Sequence, residues 1–143
     1  MMGVIYSIVA GMAMSFQGVM NTRLSESLGT LKATTLVQFI ALSLSALVLL
    51  LCGDFNFSAL SQTNKLYLSG GALALVITWT VIMGIKALGP AVSISIILIS
   101  QLLVAALIEA LGLLGTAKCD FCWTKFAGLA LMIGGILLFK YRS

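Results

Sequence analysis

Two amide side chains lie within the first apolar segment of the sequence, in the stretch SFQGVMNTRL at residues 15–24. Gln17 and Asn21 are four residues apart, so at about 100° per residue they share one stripe of a helix with Ala10 and Met14. An amide surrounded by hydrocarbon needs a hydrogen-bonding partner. The stripe therefore predicts one of two arrangements: hydrogen bonds to another helix that hold a bundle together, or the lining of a polar cavity.

The fourth apolar segment also carries polar side chains, and it contains the acidic residue Glu109. Ser93 and Ser100 share one helix face, and Gln101 lies beside them. A carboxylate inside a spanning segment is unfavourable by roughly 3 kcal/mol even on lenient insertion scales. Glu109 is therefore expected either to lie near the membrane interface in contact with water, or to be paired and used for proton or cation coupling.

Trp79 lies between two threonines in the middle of the third apolar segment. Tryptophan normally prefers the headgroup region, so a central one is expected to pack in a core or to line a cavity. In a cavity its ring could hold a flat or cationic ligand.

Small residues recur at helical spacing in the first and last apolar segments. In lipid such rows usually mark helix contacts, because small side chains allow two backbones to approach closely. We interpret the following residues as helix-packing positions: Gly11, Ser15, Gly18, Gly128 and Gly135.

The sequence gives little support to metal, cofactor or nucleic-acid binding. It has no histidine, and its three cysteines are too few for a four-ligand zinc site, so we regard the Cys-x-x-Cys pair of Cys119 and Cys122 as incidental. An enzyme is disfavoured as well, because Glu109 has no acidic partner within the apolar segments. The basic residues lie mostly at the ends of those segments, where they anchor helices rather than form a nucleic-acid surface. We therefore expect no metal, no cofactor and no nucleic-acid partner.

The elements that must position these residues are transmembrane helices. Of the 143 residues 61% are apolar and 8% are charged, too few charged residues for the surface of a soluble domain. A helix needs about 20 residues to cross roughly 30 Å of hydrocarbon. The sequence predicts an all-α, polytopic membrane protein with a single transmembrane domain over residues 1–143 and five helices, at about 3–22, 32–52, 66–86, 90–114 and 123–140.

The first segment is expected to be a retained helix rather than a signal peptide, since no basic region precedes it. With five spans the two termini lie on opposite sides of the membrane. Three basic residues would share the side of the N-terminus, and five would share the side of the C-terminus: Arg23, Lys32, Lys86, Lys140 and Arg142. This weak bias favours a cytoplasmic C-terminus and is small enough to allow insertion in both orientations.

Three stretches of the chain resemble a known family: GMAMSFQGVMNTRLSESLGTLKAT, the run from Ser69 to Gly115, and FAGLALMIGGILL. They are similar to the YdcZ-like family of small bacterial inner-membrane proteins, within the drug/metabolite transporter superfamily. The most specific marks are the two amides of the first segment, the Gly-Pro turn before the fourth, and a set of residues within and just after the fourth: Ser100, Gln101, Glu109 and Gly112.

The resemblance implies a five-helix unit equivalent to one half of the ten-helix members of the superfamily, whose halves are inverted repeats. The other half would be supplied by a second copy in a homodimer, antiparallel if the repeats are inverted, or by a sister chain in a heterodimer. The four-helix multidrug exporters of the superfamily carry an essential acid in the middle of helix one, where this chain has Gln17. Because an amide cannot bind and release a proton, Glu109 is the candidate for ion coupling.

The function implied is secondary transport of a small organic solute, a metabolite or a drug-like compound, across the bacterial inner membrane. Transport would proceed by alternating access in a dimer embedded in the lipid bilayer. The predicted substrate-binding residues are Gln17, Asn21, Trp79, Ser100 and Gln101. The alternative is a non-transporting integral membrane subunit, in which the same amides assemble the chain with another membrane protein.

Overall fold

A computed structural model describes residues 2–53, 58–116 and 123–141, and all regular structure within these residues is helical. This confirms the all-α prediction for the described part of the chain. The five α-helices are α1 (Met2–Leu28), α2 (Thr30–Cys52), α3 (Gly70–Leu88), α4 (Pro90–Leu111) and α5 (Trp123–Tyr141). Short 3-10 turns occupy Ser58–Gln62, Lys65–Ser69 and Leu113–Gly115.

Four of the described helical segments are long and apolar enough to cross a membrane: Met2–Leu28, Thr30–Cys52, Lys65–Leu88 and Pro90–Leu111. A shorter apolar helix, Ala127–Leu138, lies within α5. The polytopic membrane character predicted from composition is therefore supported. The fifth span and the pairing into a ten-helix bundle stay predictions.

Helix boundaries follow local chemistry more closely than hydropathy. Hydropathy places the end of the first helix at about residue 22, whereas α1 continues through the polar residues after it and stops at Gly29, which has φ +84°. Gly89 has φ +78° and is followed by Pro90 at the first position of α4. At the other end of α4, Gly112 has φ +63°, and its N–H donates to the carbonyl of Glu109. At each of these positions glycine adopts a positive φ that other residues rarely take.

The structure comprises two compact units, and the first covers Met1–Ala87. Within this unit α1 and α2 pack against each other, and two side chains of α3, Val81 and Ile85, reach the backbone of α1 at Gly18. The buried residues of the unit lie near the end of α1, the start of α2 and the end of α3: Gly18, Asn21, Thr22, Ser25, Ala33, Thr34, Ile82 and Ile85. The other half of each of these helices is exposed or half-buried.

The second unit covers Leu88–Ser143, and in its described residues α4 packs against α5. Between the two helices lies a mostly apolar groove of about 410 Å³, and Glu109 is among the residues that line it. The prediction of one transmembrane domain over the whole chain stays a prediction.

Candidate functional site

Asn21 is the candidate site residue that the fold buries. Its side chain lies in α1 and the residue is 8% exposed, but its amide makes no hydrogen bond within the described residues. No fully buried side-chain nitrogen or oxygen in the described residues lacks a partner, so both amide atoms of Asn21 still reach accessible space. A largely buried amide without a partner is unfavourable by about 1–3 kcal/mol. Within the described residues the amide of Asn21 is therefore available to a further hydrogen-bonding group.

The other buried polar side chains of the first unit are hydroxyl groups that are satisfied within their own helices. Thr22 donates to the carbonyl of Gly18 at 2.8 Å, Ser25 donates to the carbonyl of Thr22 at 2.7 Å, and Thr34 donates to the carbonyl of Thr30 at 2.9 Å. Each hydroxyl has thus used its single hydrogen and retains acceptor capacity. Among the buried polar side chains of the first unit, the amide of Asn21 is the group that can still donate.

Gln17 lies one turn before Asn21 on α1, yet its side chain is exposed. The midpoint of α1 is Ser15, so Gln17 lies about 3 Å from the centre of the helix and Asn21 about 9 Å from it. In a helix centred on the bilayer, both positions fall within the half-thickness of the hydrocarbon, which is about 15 Å. The amide of Gln17 also makes no hydrogen bond within the described residues, and hydrocarbon offers no partner to an amide.

The other predicted binding residues lie at the middle of their own helices. Trp79 is the central residue of α3 and is 37% exposed. Ser100 and Gln101 flank the midpoint of α4, and both are exposed. The hydroxyl of Ser100 donates to the carbonyl of Ile96 at 3.0 Å, whereas Gln101 makes no side-chain hydrogen bond within the described residues. The structure thus buries Asn21 and leaves the other four exposed; their joint role in substrate binding stays a prediction.

Glu109 lies in the last turn of α4, two residues before the helix ends at Leu111. The helix is about 33 Å long, so its last turn lies near the membrane interface. This placement favours the interfacial position expected as one of the two alternatives for Glu109. Its use in ion coupling stays a prediction.

The end of the first unit that buries Asn21 also carries basic side chains. Lys86 donates from Nζ to the hydroxyl oxygen of Thr30 at 3.2 Å, which links the end of α3 to the start of α2. Arg23 forms an ion pair with Glu26 at 3.2 Å, and both side chains are largely exposed. An exposed pair of this kind contributes little to stability.

The predicted packing residues differ in their surroundings. A Cβ added at Gly18 would lie 3.0 Å from Cδ1 of Ile85 and 3.3 Å from Cγ1 of Val81, so this glycine accepts two side chains of α3. A Cβ at Gly11, Gly128 or Gly135 would meet nothing within 4 Å in the structure. Ser15 is half-buried, and its hydroxyl donates to the carbonyl of Gly11 at 3.0 Å.

Cysteine chemistry adds no candidate site to the described residues. Cys52 ends α2 with an exposed thiol, and Cys119 and Cys122 lie outside the described residues. No group of three or more His, Cys, Asp or Glu side chains within the described part of the chain could hold a metal ion.

Sequence reasoning passed over one amide and one contact. Gln38 is half-buried in α2, and the rule that singled out Gln17, an amide inside an apolar segment, would have found it. The contact between Lys86 and Thr30 joins residues 56 positions apart, and no local pattern indicates it.

Four described helical segments that are long and apolar enough to cross a membrane define a polytopic helical membrane protein, and its helices carry amides that make no hydrogen bond within the described residues. Most of the chain, residues 2–138, matches the family model described as "Putative inner membrane exporter, YdcZ". The chain belongs to this family, which confirms the resemblance drawn from its motifs. Its location is the inner membrane, which it crosses more than once.

No curated protein and no solved structure matches the chain. The functional information from these comparisons therefore comes from the family description, which indicates a transporter rather than an enzyme.

Proposed function

We propose that this protein is a secondary transporter that exports a small organic solute across the inner membrane, and that the amide of Asn21 binds the solute. The family description supports the direction and the general activity. The single observation that carries the assignment of the residue is the state of Asn21, an amide that is 8% exposed and has no hydrogen-bond partner within the described residues.

Asn21 suits a solute site because its amide can both donate and accept hydrogen bonds. The other buried polar side chains of the first unit offer acceptors only, because the hydroxyls of Thr22, Ser25 and Thr34 use their hydrogens within their own helices. A solute with hydrogen-bonding groups would satisfy Asn21 and remove the penalty of its unpaired state. Binding would then be stabilised by a group that has no partner within the described residues.

The working unit in this proposal is a dimer that operates by alternating access. Gln17 in α1 and Gln101 in α4 are exposed amides near the middle of their helices, and hydrocarbon offers them no partner. A second copy or a sister chain would cover such positions and would supply the inverted half that the superfamily architecture requires. In the dimer Gln17 contacts the solute or the partner chain rather than lipid.

A solute-independent comparison tests the proposal. Cells producing the wild-type chain are compared with cells producing Asn21→Leu at equal membrane abundance, and the small molecules of the medium and the cytoplasm are profiled by mass spectrometry. The control variant is Thr35→Val, which removes an exposed hydroxyl that already donates to the carbonyl of Leu31 at 3.0 Å. We expect at least one compound to be enriched in the medium with the wild type and with Thr35→Val, but not with Asn21→Leu.

Each enriched compound is then tested for counterflow in proteoliposomes that contain the purified chain. Counterflow with the wild type and its loss in Asn21→Leu support the assignment. If the wild type and Asn21→Leu give the same profiles and the purified chain moves none of the compounds, the alternative function as a non-transporting subunit replaces transport.

A further inference from the structure

We propose that Gln38 of α2 is a second solute-binding residue, and that it acts with Asn21 to select an uncharged solute that carries both hydrogen-bond donors and acceptors. This inference rests on the proposed function, because it names a further residue and the substrate class of the site to which Asn21 is assigned.

Gln38 lies on the face of α2 that packs within the first unit. The buried residues of α2 are Ala33 and Thr34, and Gln38 follows Thr34 by one turn on the same stripe. Gln38 is half-buried, whereas the next residue, Phe39, is 63% exposed. Gln38 therefore belongs to the packed face of α2, and Phe39 belongs to its open face.

Gln38 and Asn21 lie at a similar depth in the first unit. Helix α1 ends at Leu28 and α2 begins at Thr30, so a single residue joins two helices that pack against each other. Asn21 lies about 10 Å before the end of α1, and Gln38 lies about 12 Å after the start of α2. The two amides thus come from the packed faces of neighbouring helices at one level of the unit.

The amide of Gln38 is as available as that of Asn21. Neither residue makes a side-chain hydrogen bond within the described residues, so the two amides do not bond each other. No fully buried side-chain nitrogen or oxygen there lacks a partner, so the amide atoms of Gln38 also reach open space. A solute that bonds both amides would satisfy two groups for which hydrocarbon offers no partner.

The distribution of charge in the first unit favours an uncharged solute. The charged side chains in the described part of this unit lie within two turns of the end of a helical segment: Arg23, Glu26, Lys32, Lys65 and Lys86. Arg23 is the nearest of these to Asn21 in sequence, but its side chain is 77% exposed and is paired with Glu26. Lys86 donates to Thr30 at the start of α2. An ion bound at the two amides would find no opposite charge on the packed faces at that depth among the described residues, which is unfavourable in a medium of low polarity.

The chemistry of two amides also specifies the polar groups of the solute. Each amide offers a carbonyl acceptor and two N–H donors. A solute with acceptors alone, such as a ketone or an ester, would leave both carbonyls without a partner. A carboxamide, a ureide or a lactam carries both kinds of group and can bond both sides of each amide.

Thiol reactivity tests the position of Gln38 without knowledge of the solute. Gln38→Cys and Phe39→Cys are made in a chain whose three native cysteines are replaced by serine, and each protein is placed in phosphatidylcholine nanodiscs. The probes are hydroxyethyl, aminoethyl and sulfonatoethyl methanethiosulfonate, which are neutral, cationic and anionic at pH 7. Each rate is divided by that of 2-mercaptoethanol in water, which removes the intrinsic differences among the probes.

The two cysteines should behave differently. We expect Gln38→Cys to react with the neutral probe about tenfold faster, or more, than with either charged probe, because the site lacks a charge that would replace the hydration of an ion. Phe39→Cys should react much more slowly with all three probes, because a thiol in hydrocarbon stays protonated and the thiolate is the nucleophile.

Export provides the second measurement. Gln38→Leu, which removes the amide and keeps a side chain of similar size, is compared with the wild type at equal membrane abundance by the same mass-spectrometric profiling. We expect the compounds enriched by the wild type to be uncharged at neutral pH and to carry N–H or O–H groups. Their enrichment should fall about tenfold or more in Gln38→Leu, as expected for the loss of hydrogen bonds to a buried amide.

The outcomes that would overturn this inference differ from those that would overturn transport. Equal rates at the two cysteines, or equal rates of Gln38→Cys with neutral and charged probes, would exclude the site described. Normal export by Gln38→Leu, with export lost in Asn21→Leu, would remove Gln38 and leave the proposed function intact. Exported compounds that are ions would overturn the substrate class alone. If the wild type exports no compound, the proposed function fails and this inference fails with it.

Discussion

Replacing Asn21 with leucine should separate stability from transport. Leucine has nearly the same shape as asparagine but no hydrogen-bonding groups. If the amide of Asn21 has no hydrogen-bond partner in the protein without solute, as within the described residues, then its removal takes away an unfavourable buried group and no favourable contact. We therefore expect Asn21→Leu to be at least as stable as the wild type and to be inactive in transport.

The size of the effect follows from the burial of the residue. A fully buried unpaired amide is unfavourable by about 1–3 kcal/mol. Asn21 is 8% exposed and both its amide atoms reach accessible space, so the lower end of this range applies. The free energy of unfolding should rise by about 1 kcal/mol in Asn21→Leu. If Asn21 instead held helices together, its loss would lower stability by roughly 0.6–1.7 kcal/mol, so the sign of the change distinguishes the two roles.

The assay is reversible unfolding of the purified protein by SDS in mixed micelles, followed by far-ultraviolet circular dichroism. Ile82→Ala calibrates it, because Ile82 is fully buried in the first unit and its truncation should lower stability by about 2 kcal/mol or more. A fall of about 1 kcal/mol in Asn21→Leu, with Ile82→Ala behaving as expected, would refute the inference that the amide awaits a solute. It would instead assign Asn21 to helix packing.

Three further predictions concern packing, transport and orientation. Gly18→Leu should lower the SDS concentration of half-unfolding, because the added side chain meets Ile85. Gly11→Leu should leave that concentration nearly unchanged, since no atom lies within 4 Å of a Cβ at this position. Equal effects of the two substitutions would contradict the close contact at Gly18. Gln17→Leu should abolish flux of the exported solute at normal expression, and unchanged flux would remove Gln17 from the site. Orientation can be measured in a variant with Cys52 as its sole cysteine, treated in intact cells with a membrane-impermeant thiol reagent. If both orientations exist, about half of the chains should be labelled. Labelling of nearly all or nearly none of the chains would mean a single orientation.

Much of the helical architecture could be predicted from local sequence. A run of about 20 apolar residues predicts a spanning helix because the backbone must satisfy its hydrogen bonds internally in lipid. The glycines at positions 29, 89 and 112 mark helix ends because each adopts a positive φ. The end of α1 was less predictable, since the helix continues into polar residues that hydropathy excludes from a span.

Long-range contacts could not be predicted in the same way. Gly11 and Gly18 are both glycines of one apolar segment, but only Gly18 meets side chains of another helix within the described structure. Helical spacing defines the face on which a residue lies, and it contains no information about how far along that face a neighbouring helix reaches. The hydrogen bond from Lys86 to Thr30 could not be predicted for the same reason, because it depends on where α3 ends relative to the start of α2.

The sequence alone determined that this chain is a helical membrane protein and that its apolar segments contain amides, because composition and segment length decide whether a chain can leave water. It also determined that Gln17 and Asn21 share one stripe of α1, because this follows from helical periodicity. Only the tertiary structure decided that Asn21 is buried and Gln17 is exposed. The physical reason is that packing in the first unit buries only the end of α1 that carries Asn21, and one helical turn is enough to pass from the covered part of the stripe to the open part.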